Sequence, residues 1–274
     1  MSASYATIAS WNASLELGFE RRCGRTALVR RTHRGPLLVQ RPFYPEGDVC
    51  HCYIVHPPGG VVGGDSLTVD ATVAADAHAL ITTPASAKFY RSAGARAIQT
   101  QQLRCTGTLE WLPQDTIFYP GALVRSHTEI HLETAARFIG WDVVSLGLAT
   151  RNERFASGQL SLNVELWRSG EPVYLDRLQI AGGSKALDAP WGWHGYTCLG
   201  TLLACPARNE WLDGLRTIAV EDGLLGITCV DDVLVVRCLG RRSEPVRHAL
   251  IRAWQMLRPW LLMREPVLPR IWAT

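Results

Sequence analysis

Apolar and polar side chains alternate in short runs along most of the chain, and a period of two belongs to strands rather than helices. Leu160, Leu162, Val164 and Leu166 alternate with Ser161, Asn163, Glu165 and Trp167. Arg168-Ser169-Gly170-Glu171 then reads as a turn, and Val173 to Ile180 as the returning partner strand. Leu67 to Val73, Ala97 to Cys105, Thr128 to Leu132, Arg137 to Ser145 and Leu224 to Cys238 read the same way. Gly- or Pro-containing turns separate these runs at short, fairly even intervals, which predicts a sandwich, a barrel or a helix of strands rather than βαβ units. No sequence repeat is strong enough to establish a solenoid. Helical signals are confined to the last third. Arg208 to Val220 carries Trp211, Leu212, Leu215 and Ile218 at helical spacing. Ser243-Glu244-Pro245 leads into Val246, Leu250, Ile251, Trp254 and Leu257, with Ser243 as the expected N-cap, Pro245 in the first turn and Pro259 closing the segment. Each apolar stripe is expected to pack on the sheet; the alternative is a groove for a partner helix.

The run His56-Pro57-Pro58-Gly59-Gly60-Val61-Val62-Gly63-Gly64-Asp65 holds four glycines and two prolines in ten residues, so its backbone path matters more than any one side chain. Gly59 and Gly64 followed by Asp65-Ser66 imitate a phosphate loop. That loop needs a lysine beside its last glycine, and here Asp65 would repel phosphate. A strand follows instead of a helix N-terminus, which removes the second requirement. A nucleotide site is excluded on both counts.

Charge and apolar content narrow the class further. At 47% apolar and 19% charged, the 274 residues are ordinary for a water-soluble globular protein, here expected as one domain spanning 1–274. A net charge of +3 and scattered basic residues exclude a bound polyanion. No secretory n- and h-region opens the chain, and no run of about 18 apolar residues could span a membrane, so a cytoplasmic location is expected. The eight cysteines are then reduced. Cys23, Cys105, Cys229 and Cys238 read as core. Cys50 and Cys52 would share one strand face with His51 on the other; core packing is the main reading and a soft-metal contact the alternative. Cys198 and Cys205 match no standard zinc spacing.

Thr82-Thr83-Pro84-Ala85-Ser86-Ala87-Lys88-Phe89-Tyr90-Arg91-Ser92 is dense in polar groups. Ser86 and Lys88, two apart on a strand, would share a face and could act as a Ser-Lys hydrolase pair if the amine reached the hydroxyl. No nucleophile elbow surrounds them. The plainer reading is a polar strand and turn lining a groove or interface. His127, Glu129 and His131 would share one strand face and could ligate nickel or zinc, or simply stand in solvent. Asp142 interrupts the apolar run Phe138 to Val144, Glu110 lies in Leu109 to Pro113, and Asp176 in Val173 to Leu178. A buried carboxylate must be paired, protonated, metal-bound or hydrated, and several together point to a hydrated interior.

Taken in order, these blocks resemble the urease accessory protein UreD family, called UreH in some organisms. The resemblance rests on Arg41 to Glu46, the His56 to Asp65 run, Thr82 to Ser92, Glu110 to Asp115, Trp141-Asp142, Gly200-Thr201-Leu202 and Pro266 to Trp272, and it covers essentially the whole chain. One departure is Leu146-Gly147-Leu148-Ala149, where the family usually carries a Leu-Gly-Arg-Pro-type segment, so a charged contact is missing there. Trp191 to Tyr196 matches no motif and reads as an exposed recognition loop or a local packing patch.

The resemblance implies a mainly β, strand-wound, β-helix-like body with two helices in the C-terminal third. It implies a non-enzymatic scaffold for nickel insertion into urease, bridging the urease apoprotein and UreF, with the GTPase UreG recruited through UreF. It implies no permanently bound cofactor, but a transient Ni²⁺ moving through a polar conduit. Exchangeable oxygen ligands suit such transit, since tight Cys or His cages would trap the ion. Asp65, Ser86, Glu110, Asp142 and Asp176 are the expected lining. His56, Pro57, Gly59, Gly60, Gly63 and Gly64 would shape its wall or mouth, with Lys88, Tyr90 and Arg91 as further motif positions.

Overall fold

The computed structural model describes residues 10–273, so positions 1–9 and 274 of the expected domain lie outside the described residues. Among the described residues the strands form two sheets. The first has seven strands, in the spatial order Glu171–Ala181, Gln159–Arg168, Leu123–Leu132, Ala97–Cys105, Ser66–Val73, Asn12–Arg22 and Arg25–Arg34. The second has eleven. Its main path runs Gly223–Val230, Val233–Gly240, Cys198–Cys205, Arg137–Leu148, Thr108–Leu112, His78–Thr82, Cys50–Val55 and Leu38–Val39. The short strands Ala87–Phe89, Thr116–Phe118 and Glu153–Arg154 pair beside that path.

The chain is wound between these sheets. From Ser66–Val73 to Gln159–Arg168 it passes alternately through the first sheet and the second, and each pass pairs in parallel with the pass one turn earlier. Antiparallel strands close both ends of the first sheet and the C-terminal side of the second. At one of these ends Ser169 and Gly170 both adopt positive φ (51° and 85°), the backbone of a two-residue hairpin turn, where the sequence predicts Arg168 to Glu171 to reverse the chain.

Exposure follows the layering. The first sheet packs one face on the core and turns the other to solvent, so its strands alternate; Ser66–Val73 buries Leu67, Val69, Ala71 and Val73. The second sheet is covered on both faces, so His78–Thr82 is buried throughout and most of Arg137–Leu148 is too. One apolar core lies between the sheets, and another between the second sheet and the helix Ser243–Leu257. That helix buries Val246, Ala249, Leu250, Ala253, Trp254 and Leu257, the stripe read from its spacing. Gly200 lets it approach closely, because a Cβ there would lie 2.6 Å from Val246 Cγ1.

Several local expectations are corrected. Arg208 to Val220 forms a 3₁₀ turn, Asn209–Trp211, and one α turn, Leu212–Leu215, rather than a full helix. Gly214 weakens helix there, although Trp211, Leu215 and Ile218 are buried as predicted. Arg242, not Ser243, is the N-cap, with Ser243 already helical and no side-chain cap bond made. Pro259 does not stop the segment. It removes an N–H from the α ladder, and the chain continues as a π turn over Arg258–Leu262. Cys23 is exposed in a turn at φ 48°, and Cys229 is only partly buried; Cys105 and Cys238 are core as expected. Cys50 and Cys52 lie in the inter-sheet core, and burial pushes Cys50 up to about 11, so they are packing thiols. Trp254 is fully buried, while Trp260 is exposed.

An ionic cluster centred on the fully buried Arg258 and Glu110 fastens the helical layer. Arg258 Nε donates to Glu110 Oε2 at 3.1 Å, and Nη2 donates to both Glu46 oxygens at 2.8 Å. Trp254 Nε1 also donates to Glu110, which lies 2.7 Å from His78 Nε2; Glu46 lies 2.7 Å from His51 Nε2. Burial alone would raise the Glu110 carboxyl, but His78 and Arg258 hold it down to about 2. Arg258→Met leaves two buried carboxylates without their cation and should lower the urea-unfolding free energy by about 3–5 kcal/mol near neutral pH; a loss below about 1 kcal/mol contradicts a dry cluster. Because the Glu110 carboxyl is depressed from 4.5, its contribution is complete above that pH and fades as pH falls toward 2. Glu110→Gln should therefore flatten the acid limb of the stability profile, and an unchanged limb would refute this assignment.

Candidate functional site

The inward positions of the two sheets are not all apolar, and where they turn polar a cavity of about 280 Å³ opens between them. On Ala97–Cys105 the inward phase is Ala97, Gln99, Gln101, Leu103 and Cys105; on Leu123–Leu132 it is Val124, Ser126, Thr128, Ile130 and Leu132. Parallel register sets Gln99 beside Ser126 and Gln101 beside Thr128, whose hydroxyl donates to Gln101 Oε1 at 2.9 Å. The opposite wall carries Asp142 and, as its register partner, Thr201. Such a space is roomy and polar enough for several waters.

Asp142 lies deep in the protein, and the surface it keeps is part of the cavity wall. Burial, with the nearby negative charge of Asp115 adding to it and the Val143 N–H working against it, pushes its carboxyl up to about 6. Near neutral pH it can exchange a proton or accept a cation. Asp176 stands on the facing sheet and is already occupied: Arg237 donates to it through Nη2, and the Tyr174 hydroxyl donates at 3.2 Å. Arg237 belongs to the second sheet, in register with Thr201, so this ion pair ties the two sheets together beside the cavity.

Ser86 and Lys88 line this cavity and a second one of about 300 Å³ that borders the start of the Ser243–Leu257 helix. Pro84 to Lys88 therefore partitions the two. Ser86 Oγ donates to Asp115 Oδ1 at 2.6 Å, and Asp115 Oδ2 accepts from Ser145. The serine hydroxyl is held by a carboxylate rather than an amine, so the hydrolase reading has no supporting geometry.

Of the five residues expected to line a conduit, Ser86, Asp142 and Asp176 are on the cavity wall, and Asp65 and Glu110 are not. Glu110 faces the helical layer in the ionic cluster; on Thr108–Leu112 it has the opposite phase to Leu109 and Trp111. Asp65 is a backbone clasp, accepting from Trp11 N–H at 2.9 Å and Val62 N–H at 3.0 Å. The glycine-proline run docks on the strand after Ser86, with Val61 N–H donating to Lys88 O and Tyr90 N–H to Val61 O. A Cβ on Gly60 would lie 2.1 Å from the Tyr90 ring, and one on Gly63 2.2 Å from Ser92 Oγ, so both are glycine for close approach. His56 and Gly59 reach the cavity, while Pro57 is exposed in a turn closed by Gly59 N–H donating to His56 O. Tyr90 packs against Tyr119 with the rings tilted, and Arg91 lies against Gly121.

Sequence reasoning missed Asp115, Thr201, Arg237 and the Gln99, Gln101, Ser126, Thr128 ladder. The ladder had a signal, since four polar residues sit in the apolar phase of two strands. Asp115 and Thr201 lie in motif blocks of the family resemblance but were given no role, and Arg237 had no signal, because only tertiary contacts give these residues their partners. Trp191 to Tyr196 divides between its two readings: Trp191 is 79% exposed and Trp193 is buried.

A wound body surrounds a part-open cavity whose mostly apolar wall carries a patch of amide, hydroxyl and carboxylate groups, and Ser86 beside it is tied to a carboxylate. Comparison with known proteins gives the family. The family model described as UreD urease accessory protein matches residues 12–273. A urease accessory protein UreD of Citrobacter koseri is 46% identical over 267 residues, covering 96% of this chain and 92% of that protein. The Klebsiella aerogenes UreD is 45% identical over 269 residues (96% and 97%), and that of Azoarcus sp. strain BH72 is 42% identical over 277 residues (99% and 97%). The chain belongs to the UreD family of urease accessory proteins.

A raised carboxyl makes a testable stability statement. Asp142 is protonated in the fold up to about pH 6, so its favourable contribution is complete below its ordinary 3.8 and is lost as pH rises through 6. Asp142→Asn should raise unfolding stability at pH 8 by on the order of 1–2 kcal/mol, water in the cavity moderating the effect, and change nothing below about pH 3. Equal stability of both proteins at pH 8 would show that the carboxyl is not raised.

Proposed function

We propose that this chain is a non-enzymatic scaffold for nickel insertion into urease, and that Ni²⁺ crosses it as cargo through the cavity between the sheets. In this reading it works in the cytoplasm as one domain, bridges the urease apoprotein and UreF, and meets the GTPase UreG through UreF. The single observation that carries the transit reading is the patch of neutral oxygens that shares the cavity wall with Asp142. Amide and hydroxyl oxygens with one titratable carboxylate hold a hydrated divalent ion loosely, as a passage requires. Family membership supports the urease role, and the acid in the imitation phosphate loop is consistent with nucleotide chemistry residing in a partner. Described residues include no helix long and apolar enough to cross a membrane.

The proposed route joins the two cavities at the Pro84 to Lys88 partition, where the Ser86–Asp115 hydrogen bond stands between them. Asp142 follows, with its carboxyl in no ion pair among the described residues. Asp176 is a different kind of acid, since an ion would have to compete with Arg237 for it. Co-expression of urease with its accessory proteins tests the reading. Asp142→Leu should lower nickel per urease severalfold with the UreF complex still recovered, and Asp176→Leu should do so less. Normal nickel loading with both variants would sink the transit reading while leaving the scaffold role standing.

A further inference from the structure

The face of the first sheet turned away from the cavity carries a cluster that the transit reading does not use. His127 and Glu129 are two apart on Leu123–Leu132 and share that face, with His127 Nε2 3.0 Å from Glu129 Oε1. Glu165 is the direct register partner of Glu129 on the neighbouring parallel strand. One ligand atom from each of His127, Glu129 and Glu165 lies within 4.8 Å of the others.

Two carboxylates side by side across strands repel. Among the described residues neither is paired with a lysine or an arginine; Glu129 has only His127 and His131, and Glu165 accepts from the Trp167 indole at 3.2 Å. Arg104, in register with His131, is committed to Asp70, and Arg125 and Arg177, which share this face, form no ion pair with either glutamate among the described residues. Beside His127 in register stands Asn163, whose buried Oδ1 has no hydrogen-bond donor. One imidazole and two carboxylates thus converge beside an unclaimed amide oxygen, with no lysine or arginine ion-paired to them among the described residues. Donor atoms that share an ion at about 2.0–2.2 Å stand roughly 3–3.5 Å apart, so the 3.0 Å His127–Glu129 spacing already fits and a small side-chain rotation brings in Glu165.

We propose that His127, Glu129 and Glu165, with Asn163 as an adjoining oxygen donor, form a surface site for a borderline divalent cation of the Ni²⁺ or Zn²⁺ class. One imidazole with carboxylates selects such ions over Ca²⁺ or Mg²⁺, and the absence of a thiolate keeps them exchangeable. His131 orients the site rather than binding: its Nε2 lies 3.6 Å from the other Glu129 oxygen, and its ring stacks on Trp167. The site is independent of the interior route, being on the opposite face of the sheet.

Calorimetric titration of NiCl₂ into the purified full chain tests this, with Asp142→Asn as the parent to silence the interior carboxylate. The parent should bind Ni²⁺ at this site, and adding His127→Ala or Glu165→Gln should weaken that binding by more than about tenfold. His131→Ala should change it by less than about threefold. Glu165→Gln keeps the size of the side chain at a half-exposed strand position, so unchanged far-ultraviolet circular dichroism will separate lost binding from lost folding. Ni²⁺ binding that is unchanged in both His127→Ala and Glu165→Gln overturns the site, as does equal loss in His131→Ala. Failure here leaves the interior route untouched, because that route is read from urease loading.

Discussion

Parallel pairing in register is the constraint on which the rest of this molecule depends. Each pass of the chain lies on the one before it, so the level of a side chain in one strand sets the level of its neighbours in the next. Leu15, Val69, Gln101, Thr128, Val164 and Asp176 form one such row across the first sheet. It is apolar toward one end, polar through Gln101 and Thr128, and acidic at the other. A single polar group in a dry core would cost about 1–3 kcal/mol if left unpaired. Stacked polar groups can bond one another and keep water, and a slip of one residue would move them all to the solvent face. The cavity is therefore a property of the register, not of any one residue.

Two acids on the second sheet show how partners decide charge. Glu110 and Asp142 are both deep in the protein, and burial pushes both carboxyls upward. Glu110 faces the helical layer, where His78 and Arg258 overturn that push and hold it near 2. Asp142 faces the cavity, where the charge that acts on it is another acid, Asp115, and it stays near 6. One acid is fixed in its charged state and fastens the helix to the sheet. The other is poised to change its state, which suits a group that meets cations in passing.

Strand existence was legible because the period of two is written along the chain, and the interior acids were legible as interruptions of apolar runs. Their faces were not assigned. Reading phase within a strand separates Glu110 from Leu109 and Trp111, and places Asp142 with Phe138 and Val144. The same step finds Gln99, Gln101, Ser126 and Thr128. The ionic cluster was beyond reach, since Arg258 and Glu110 are 148 positions apart and Arg258 reads only as a break in an apolar run. The glycine-proline run was recognised as a backbone feature, but the reason for two of its glycines lies in the Tyr90 ring and the Ser92 hydroxyl. Asp65 fell outside the cavity because its carboxylate serves two backbone N–H groups, an arrangement that leaves no mark in sequence.

The account turns on the interior space itself, apart from the acids in it. The most direct measurement is nickel bound per urease active site after co-expression with a chain carrying Thr201→Phe, which fills the cavity and leaves Asp142 and Asp176 in place. Recovery of the variant with UreF shows that it is folded. The account predicts nickel reduced to the level found when this chain is absent. Full nickel loading past a filled cavity would contradict it.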